Sequence, residues 1–105
     1  MRVTVSHDRP VGEVKQAVDR SFDDLFKSIV NLPIQLLEEQ RSWNADKLAF
    51  SLIAKMGPLS TPLKGTIEVT DRDVTIDVDL GLLERLIPAE QRREALGHRL
   101  KGLLK

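Results

Sequence analysis

Hydrophobic residues follow two different periods along the chain, and the changes of period predict where strands and helices lie. Val3 and Val5 alternate with polar residues, which predicts a short first strand. From Pro10 onward, apolar residues recur every three or four positions and predict an amphipathic helix. The helix should end near Asn31, because Pro33 disfavours helical geometry at the residue before it. Its apolar stripe comprises Val11, Val14, Val18, Phe22, Leu25, Phe26 and Ile29.

The segment 34–41 is compatible with a helix by propensity or with a strand. We favour a strand that ends near Trp43, because residues 44–47 have the composition of a turn and an alternating apolar run follows at 48–54. The two segments together predict a hairpin. The run 48–54 carries no charge and would promote aggregation at an exposed sheet edge. We therefore expect it to form a central strand.

Two further strands and a closing helix are predicted beyond the hairpin. Gly57, Pro58 and Pro62 indicate a loop, after which residues 63–69 and 74–80 alternate between apolar and polar side chains. The period then changes again, and residues 82–87 suggest a helical turn before Pro88. The final helix is lined by Leu96, Leu100, Leu103 and Leu104.

These elements predict an α+β fold of order β-α-β-β-β-β-α, with residues 1–105 forming one domain. Short connections favour antiparallel pairing, and amphipathic helices should cover the one apolar face of the sheet, giving a two-layer sandwich. If the sheet and the C-terminal helix enclosed a pocket, the fold would resemble a reduced helix-grip fold.

Length and composition narrow the functions that such a domain can perform. The 105 residues include 16 Lys and Arg, 16 Asp and Glu and no Cys, which excludes a large multi-substrate enzyme, disulfide scaffolds and Cys-ligated zinc. A net charge of zero disfavours a dedicated nucleic-acid module. The chain start lacks the apolar region of a signal peptide, and the longest uncharged run, Ser28 to Leu37, is too short to span a bilayer. We therefore expect a cytoplasmic protein.

Candidate catalytic groups are sparse. His7 and His98 form no motif with a nucleophile, and Asp77 and Asp79 lie on an alternating strand rather than in a calcium loop. The six glycines match no nucleotide fingerprint. We expect no cofactor, no metal and no catalytic residue. An enzyme built on His7 and the two aspartates would require a concave site that joins them.

Two contact surfaces are predicted instead. Segments around residues 29–37 and 82–87 hold more apolar side chains than connectors need, and partial exposure would suit a hydrophobic surface or a partner helix. Residues 89–105 carry five Lys and Arg against two Glu, which suits an anionic partner. The apolar candidates are Ile34, Leu36, Leu37, Leu82, Leu83 and Leu86. The basic candidates are Arg92, Arg93, Arg99 and Lys101.

The order of features resembles a bacterial family, the polyhydroxyalkanoic acid system proteins, also described as the polyhydroxyalkanoate granule-region family. The resemblance spans nearly the full chain. It is carried by four segments and by the closing helix that follows them. Those segments are Arg2-Val3-Thr4-Val5-Ser6-His7, Trp43-Asn44-Ala45-Asp46-Lys47-Leu48-Ala49-Phe50, 63–71 and 74–80. Two departures stand out: Ala45 replaces the glycine of the family's turn, and the loop from Met56 to Pro62 differs from the family's short polar loop.

The resemblance implies a non-catalytic protein at intracellular polyester granules, in contact with the granule surface or with a granule-coat protein. It carries over no catalytic residue. The alternative is a carrier of a small hydrophobic ligand, held between the sheet and the C-terminal helix. Because an open sheet has two edges that invite pairing, a homodimer is also among the expected assemblies.

Overall fold

A computed structural model describes residues 1–27, 34–82, 85 and 89–104, with the backbone alone for 89–92. Within these ranges the order of strands and helices is the one predicted, except that the first helix is divided in two. The elements are β1 (Arg2–Ser6), α1 (Val11–Arg20), α2 (Phe22–Lys27), β2 (Gln35–Asn44), β3 (Lys47–Met56), β4 (Leu59–Val69), β5 (Asp73–Asp79) and α3 (Ala89–Leu103). The segment 34–41, compatible with either structure, lies in strand β2 from Gln35 onward.

The five strands form one antiparallel sheet in the order β1-β5-β4-β3-β2. Strand β3 pairs with β2 on one side and β4 on the other, which confirms the central position expected for the uncharged run 48–54. Strands β1 and β2 are the two edges. The first strand of the chain therefore pairs with the last one. The fold is the predicted α+β sandwich.

The helices pack on one face of the sheet. Along β3 and β5 every second side chain is buried, and these side chains form one core with the apolar stripes of the helices. Leu96 and Leu100 of α3 are fully buried in that core, as the helical spacing predicts. The opposite face of the sheet carries mainly polar and small side chains.

The predicted first helix breaks at Ser21, whose backbone angles (φ −109°, ψ 19°) leave the helical range. The break redirects the chain so that Phe22 and Phe26 of α2 both reach Phe50 of β3, with ring centroids 5.1 and 5.0 Å away. Three aromatic rings thus pack in tilted and edge-to-face contacts, which are favourable geometries. The predicted helix end near Asn31 and the apolar Ile29 lie outside the described residues.

The loop predicted at 57–62 is wrong. Gly57 and Pro58 alone form the turn, and β4 begins at Leu59 and includes Pro62. A two-residue turn closes on a hydrogen-bonded pair, Met56 with Leu59, so the backbone nitrogen of Pro62 faces away from β3. Strand β5 pairs with β4 only from Lys64 onward, so the missing N–H of proline costs no ladder hydrogen bond.

Candidate apolar binding surface

One end of the sheet, at the β3–β4 turn, gathers apolar side chains from four separate parts of the chain. Leu37 of β2 pairs with Ile53 of β3, which in turn pairs with Pro62 of β4. Beyond this row, Met56 pairs with Leu59 next to the turn. We call this region the apolar end; it comprises Leu37, Ile53, Met56, Leu59, Pro62 and Leu82.

A turn directly after β5 places Leu82 at the apolar end. Gly81 adopts a positive φ of 55° and turns the chain back toward β4. The backbone N–H of Leu82 then donates to Oγ1 of Thr61 at 3.1 Å, and the Thr61 side chain is itself buried. A polar group in the sheet therefore holds Leu82 beside the β3–β4 turn.

The large hydrophobic side chains that stay exposed are concentrated here. Leu37, Leu59 and Leu82 are 41%, 49% and 46% exposed, and they are the exposed large hydrophobics among the described residues. Ile53 and Met56, on opposite faces of β3, are half-buried. Scattered exposed leucines are ordinary on a protein surface, and these three are candidates for a contact surface because all lie toward one end of the sheet.

Both apolar segments predicted from the sequence reach this end of the sheet, but on opposite faces: Leu37 shares the helix-free face with Ile53 and Pro62, and Leu82 lies beside Thr61 on the helix-covered face. Ile34 and Leu36 are half-buried and pack against the core next to this end, so they support the surface more than they form it. Leu37 and Leu82 are exposed there. Leu83 and Leu86 lie outside the described residues.

Sequence reasoning missed Ile53, Leu59 and Pro62. The two prolines at 58 and 62 suggested a loop, which concealed the alternation of Leu59, Thr61 and Leu63 along β4. That alternation was the available signal. The position of Ile53 beside Leu37 depends on the register between β2 and β3, which no local pattern contains.

The predicted basic face does not form one surface. Arg93 and Lys101 line a groove against β1, together with His98. Arg99 points elsewhere and forms an ion pair with Asp24, 3.6 Å between Nη2 and Oδ2. The side chain of Arg92 lies outside the described residues. Two of the four predicted basic residues are thus brought together.

His7 has a structural role that uses both ring nitrogens. The backbone N–H of Arg9 donates to Nδ1 at 3.1 Å, which leaves Nε2–H to donate to the carbonyl of Thr70 at 2.8 Å. The ring therefore connects the end of β1 to the β4–β5 turn. Both ring nitrogens of His7 are thus hydrogen-bonded to the backbone.

Asp77 and Asp79 face a shallow groove of about 780 Å³ on the helix-free face of the sheet. Asp77 lies 3.8 Å from Nε of Arg2, and Asp79 accepts the backbone N–H of Gly81 at 3.0 Å. Among the described residues that line the groove, His7 does not occur. The concave site that an enzyme built on these three residues would need is therefore not formed by this groove.

The part of the chain that the structure describes offers neither a metal site nor a membrane-spanning helix. It contains no group of three or more His, Asp or Glu side chains placed to hold a metal ion. It also contains no helix long and apolar enough to cross a membrane. Comparison of the chain with protein-family models, curated proteins and solved structures gave no match.

Proposed function

We propose that this protein is a non-catalytic binding protein that attaches by its apolar end to a hydrophobic surface, namely the polyester of an intracellular storage granule. The single observation that carries the proposal is the grouping of Leu37, Leu59 and Leu82 at one end of the sheet, each close to half exposed. The polyester is suggested by the family resemblance in the sequence.

Charged residues flank this surface, because Glu38 follows Leu37 and Lys55 lies between Ile53 and the β3–β4 turn, whereas two ion pairs lie farther away. At the opposite end of the sheet, Lys15 contacts Asp46 at 3.4 Å, and Arg41 contacts Asp19 at 3.1 Å. Contact through the apolar end would thus leave these charged groups in water, where they need no desolvation. An orientation with one apolar end and one hydrated end suits a protein that lies at an interface.

The expected strength of attachment follows from the area that becomes buried. Complete burial of a leucine side chain contributes about 1.5–3 kcal/mol, so burying the exposed half of each of three leucines contributes roughly 1 kcal/mol apiece. The half-buried Ile53 and Met56 add to this. Attachment should therefore be reversible, and it should resist salt because it does not depend on charge.

Co-sedimentation with polyester granules tests the proposal. Purified protein is mixed with bare granules and with coat-bearing granules, from about 0.1 M to about 1 M salt, with polystyrene beads as a control for general stickiness. Salt-resistant binding to bare polyester, exceeding binding to the beads, is the expected result. Binding to coated granules alone would contradict direct attachment and indicate a protein partner.

A pair of matched variants identifies the surface. Leu37→Asp with Leu59→Asp places two charges in the apolar end, at positions too exposed to disturb the core, and should reduce granule binding by about tenfold or more. Gln16→Glu with Asn44→Asp adds the same two charges at exposed positions outside the apolar end. The second variant should bind like the parent chain. Equal binding by both variants would contradict the proposed surface.

The alternative, a carrier with a ligand pocket between the sheet and α3, is less well supported. Leu96 and Leu100 of α3 and Ile67 and Ile76 of the sheet are fully buried within one core. Side chains therefore pack the interior between α3 and strands β4 and β5, and the groove between α3 and β1 is open to solvent. Titration with a fluorescent fatty acid would favour the carrier if it showed one saturable site that survives the Leu37→Asp, Leu59→Asp change.

A further inference from the structure

Edge strand β1 offers a second surface, distinct from the apolar end. In the described part of the chain, β1 pairs with β5 alone, so its outer side has no partner strand. The pairing runs without interruption from Arg2 to Ser6. The other edge, β2, has a bulge between Leu37 and Gln40 that interrupts its ladder. Bulges protect edges from further pairing, so β1 is the more receptive edge.

The hydrogen bonds of β1 define which backbone groups face outward. The N–H of Val78 donates to the carbonyl of Met1, and the N–H of His7 donates to the carbonyl of Arg72. In an antiparallel ladder such pairs alternate with residues whose N–H and C=O point to the other side. Arg2, Thr4 and Ser6 are those residues. Their outward groups form a template for one more strand.

Helix α3 runs beside this edge and forms the second wall of an open groove of about 680 Å³. Gly97 lies between the walls, where an added Cβ would come 3.5 Å from Val3. The stretch from Arg93 to Lys101 is about 12 Å long at the rise of a helix. The stretch from Arg2 to Ser6 is about 13 Å long at the rise of a strand. The two walls are similar in length, and the groove between them fits an extended segment of about five residues.

With histidine neutral, the residues that line the groove carry a formal charge of +1, from Arg93 and Lys101 against Glu94. Arg93, His98 and Lys101 are exposed along its helical wall, with Glu94 as the acidic residue among those that line it. Side chains of an added strand would point alternately toward α3 and toward the helix-free face of the sheet. In a five-residue strand, the first and last of the three residues that point toward α3 would therefore lie near Arg93 and Lys101.

We propose that the groove between β1 and α3 binds an extended acidic peptide segment, which adds to the sheet at β1 and places alternate carboxylates against Arg93 and Lys101. Backbone hydrogen bonds would supply the pairing, and the basic wall would select the sequence. Strand addition at a sheet edge is an established mode of peptide recognition.

A second copy of the chain is a poorer occupant of the same edge. Antiparallel pairing of two β1 strands about Thr4 would set the two α3 helices side by side in opposite directions. Arg93 of one copy would then face Lys101 of the other, and like charges brought together in this way are unfavourable. The charge of the groove thus favours an acidic partner over self-pairing.

Fluorescence anisotropy with two synthetic probes tests the proposal. One labelled hexapeptide alternates Glu with Val, and the other alternates Lys with Val. The parent chain should bind the Glu peptide at least about tenfold more tightly. Arg93→Glu with Lys101→Glu should reverse this preference. A parent chain that binds both probes equally, or neither, would overturn the proposal.

The backbone component is tested separately. Thr4→Pro removes one outward N–H while the ladder to β5 is kept, and Thr4→Ala is the matched control that retains this N–H. Binding should fall for the proline variant only. A Glu-Val peptide methylated at alternate backbone nitrogens gives the same test without altering the protein, and it should bind more weakly than the unmethylated peptide. Unchanged binding of the methylated peptide would contradict strand addition.

Two further measurements separate this surface from the alternatives. The Leu37→Asp, Leu59→Asp variant should bind the Glu peptide like the parent chain, because its changes lie in the apolar end. Sedimentation velocity of the parent chain should show a monomer at the concentrations of the peptide assay. A dimer that Thr4→Pro dissociates, with no peptide binding, would overturn the proposal in favour of self-pairing.

Discussion

The two ends of the sheet are built on similar turns and yet present opposite surfaces. At the β2–β3 turn, Lys15 of α1 donates to the carbonyl of Ala45 at 2.8 Å and lies 4.9 Å from the centre of the Trp43 ring. Nearby, Arg41 and Trp43 both donate to the carboxylate of Asp19. At the β3–β4 turn, leucines stay exposed instead. We call the first of these regions the polar end.

The comparison shows that exposed leucines are not a necessary result of a short turn. Both turns have two central residues, and in both the first one has a positive φ, 55° at Ala45 and 58° at Gly57. The difference lies in the side chains that meet at each turn. At the polar end, a side chain from α1 covers Trp43, whereas Leu59 at the apolar end remains half exposed.

Among the substitutions that compare the two ends, Gly81→Ala at the apolar end should have the largest effect on stability. Gly81 has a positive φ, and an added Cβ would collide with the Thr61 side chain and lie 3.1 Å from the carbonyl of Pro62. Backbone strain and this collision together should cost about 2 kcal/mol of unfolding free energy. Urea denaturation measures the loss. A change below about 0.5 kcal/mol would contradict the described path from β5 to Leu82.

A smaller pair of effects, of opposite sign, should come from the two turns. Gly57→Ala places a Cβ in the left-handed region and should lower the free energy of unfolding by about 1 kcal/mol. Ala45→Gly relieves the same strain at the polar end but makes the unfolded chain more flexible, so it should stabilise by about 0.5 kcal/mol. Thermal unfolding of the two variants checks both signs. If both variants destabilised the protein, the likeness of the two turns would be refuted.

The smallest effect concerns Glu39, at the β2 bulge between the two ends. Burial raises the pKa of Glu39 above its ordinary value of 4.5, and Asp23 raises it further, partly offset by Arg41. The folded state therefore holds the carboxyl proton of Glu39 more tightly than the unfolded state does. As a result, the free energy of unfolding of the parent chain should fall as pH rises from 4.5 through the raised pKa. Glu39→Gln should remove that fall and be the more stable at neutral pH. Denaturation across this pH range measures the difference, and parallel curves would contradict the raised pKa.

Much of the fold could be predicted from the sequence, because alternation and helical spacing are local. The strands at β3 and β5 and the stripe of α3 follow directly from them. The break at Ser21 could not be predicted, since it depends on how Phe22 and Phe26 reach Phe50. The strand through Pro62 was missed because a proline usually interrupts a strand. It is tolerated here because β5 begins to pair with β4 at Lys64, beyond the proline.

The candidate surfaces were predictable only in part. Leu37 and Leu82 were predicted as contact residues, but their positions at one end of the sheet, on opposite faces, depend on strand register and on the turn at Gly81. The prediction of one basic face was wrong for a reason that helical spacing in the sequence already shows. At 3.6 residues per turn, Arg99 and Arg93 are separated by about 120° around α3, so the two point to different sides of the helix.

The central claim, that the apolar end contacts the granule, can be measured directly because the chain has no cysteine and a single tryptophan. An environment-sensitive dye is attached to Leu59→Cys, or to Lys47→Cys at the polar end as the control. On adding bare polyester granules, the dye at position 59 should shift to shorter wavelength, while the dye at 47 and the emission of Trp43 should stay unchanged. An equal shift at both labelled positions, or a shift at 47 alone, would contradict the account.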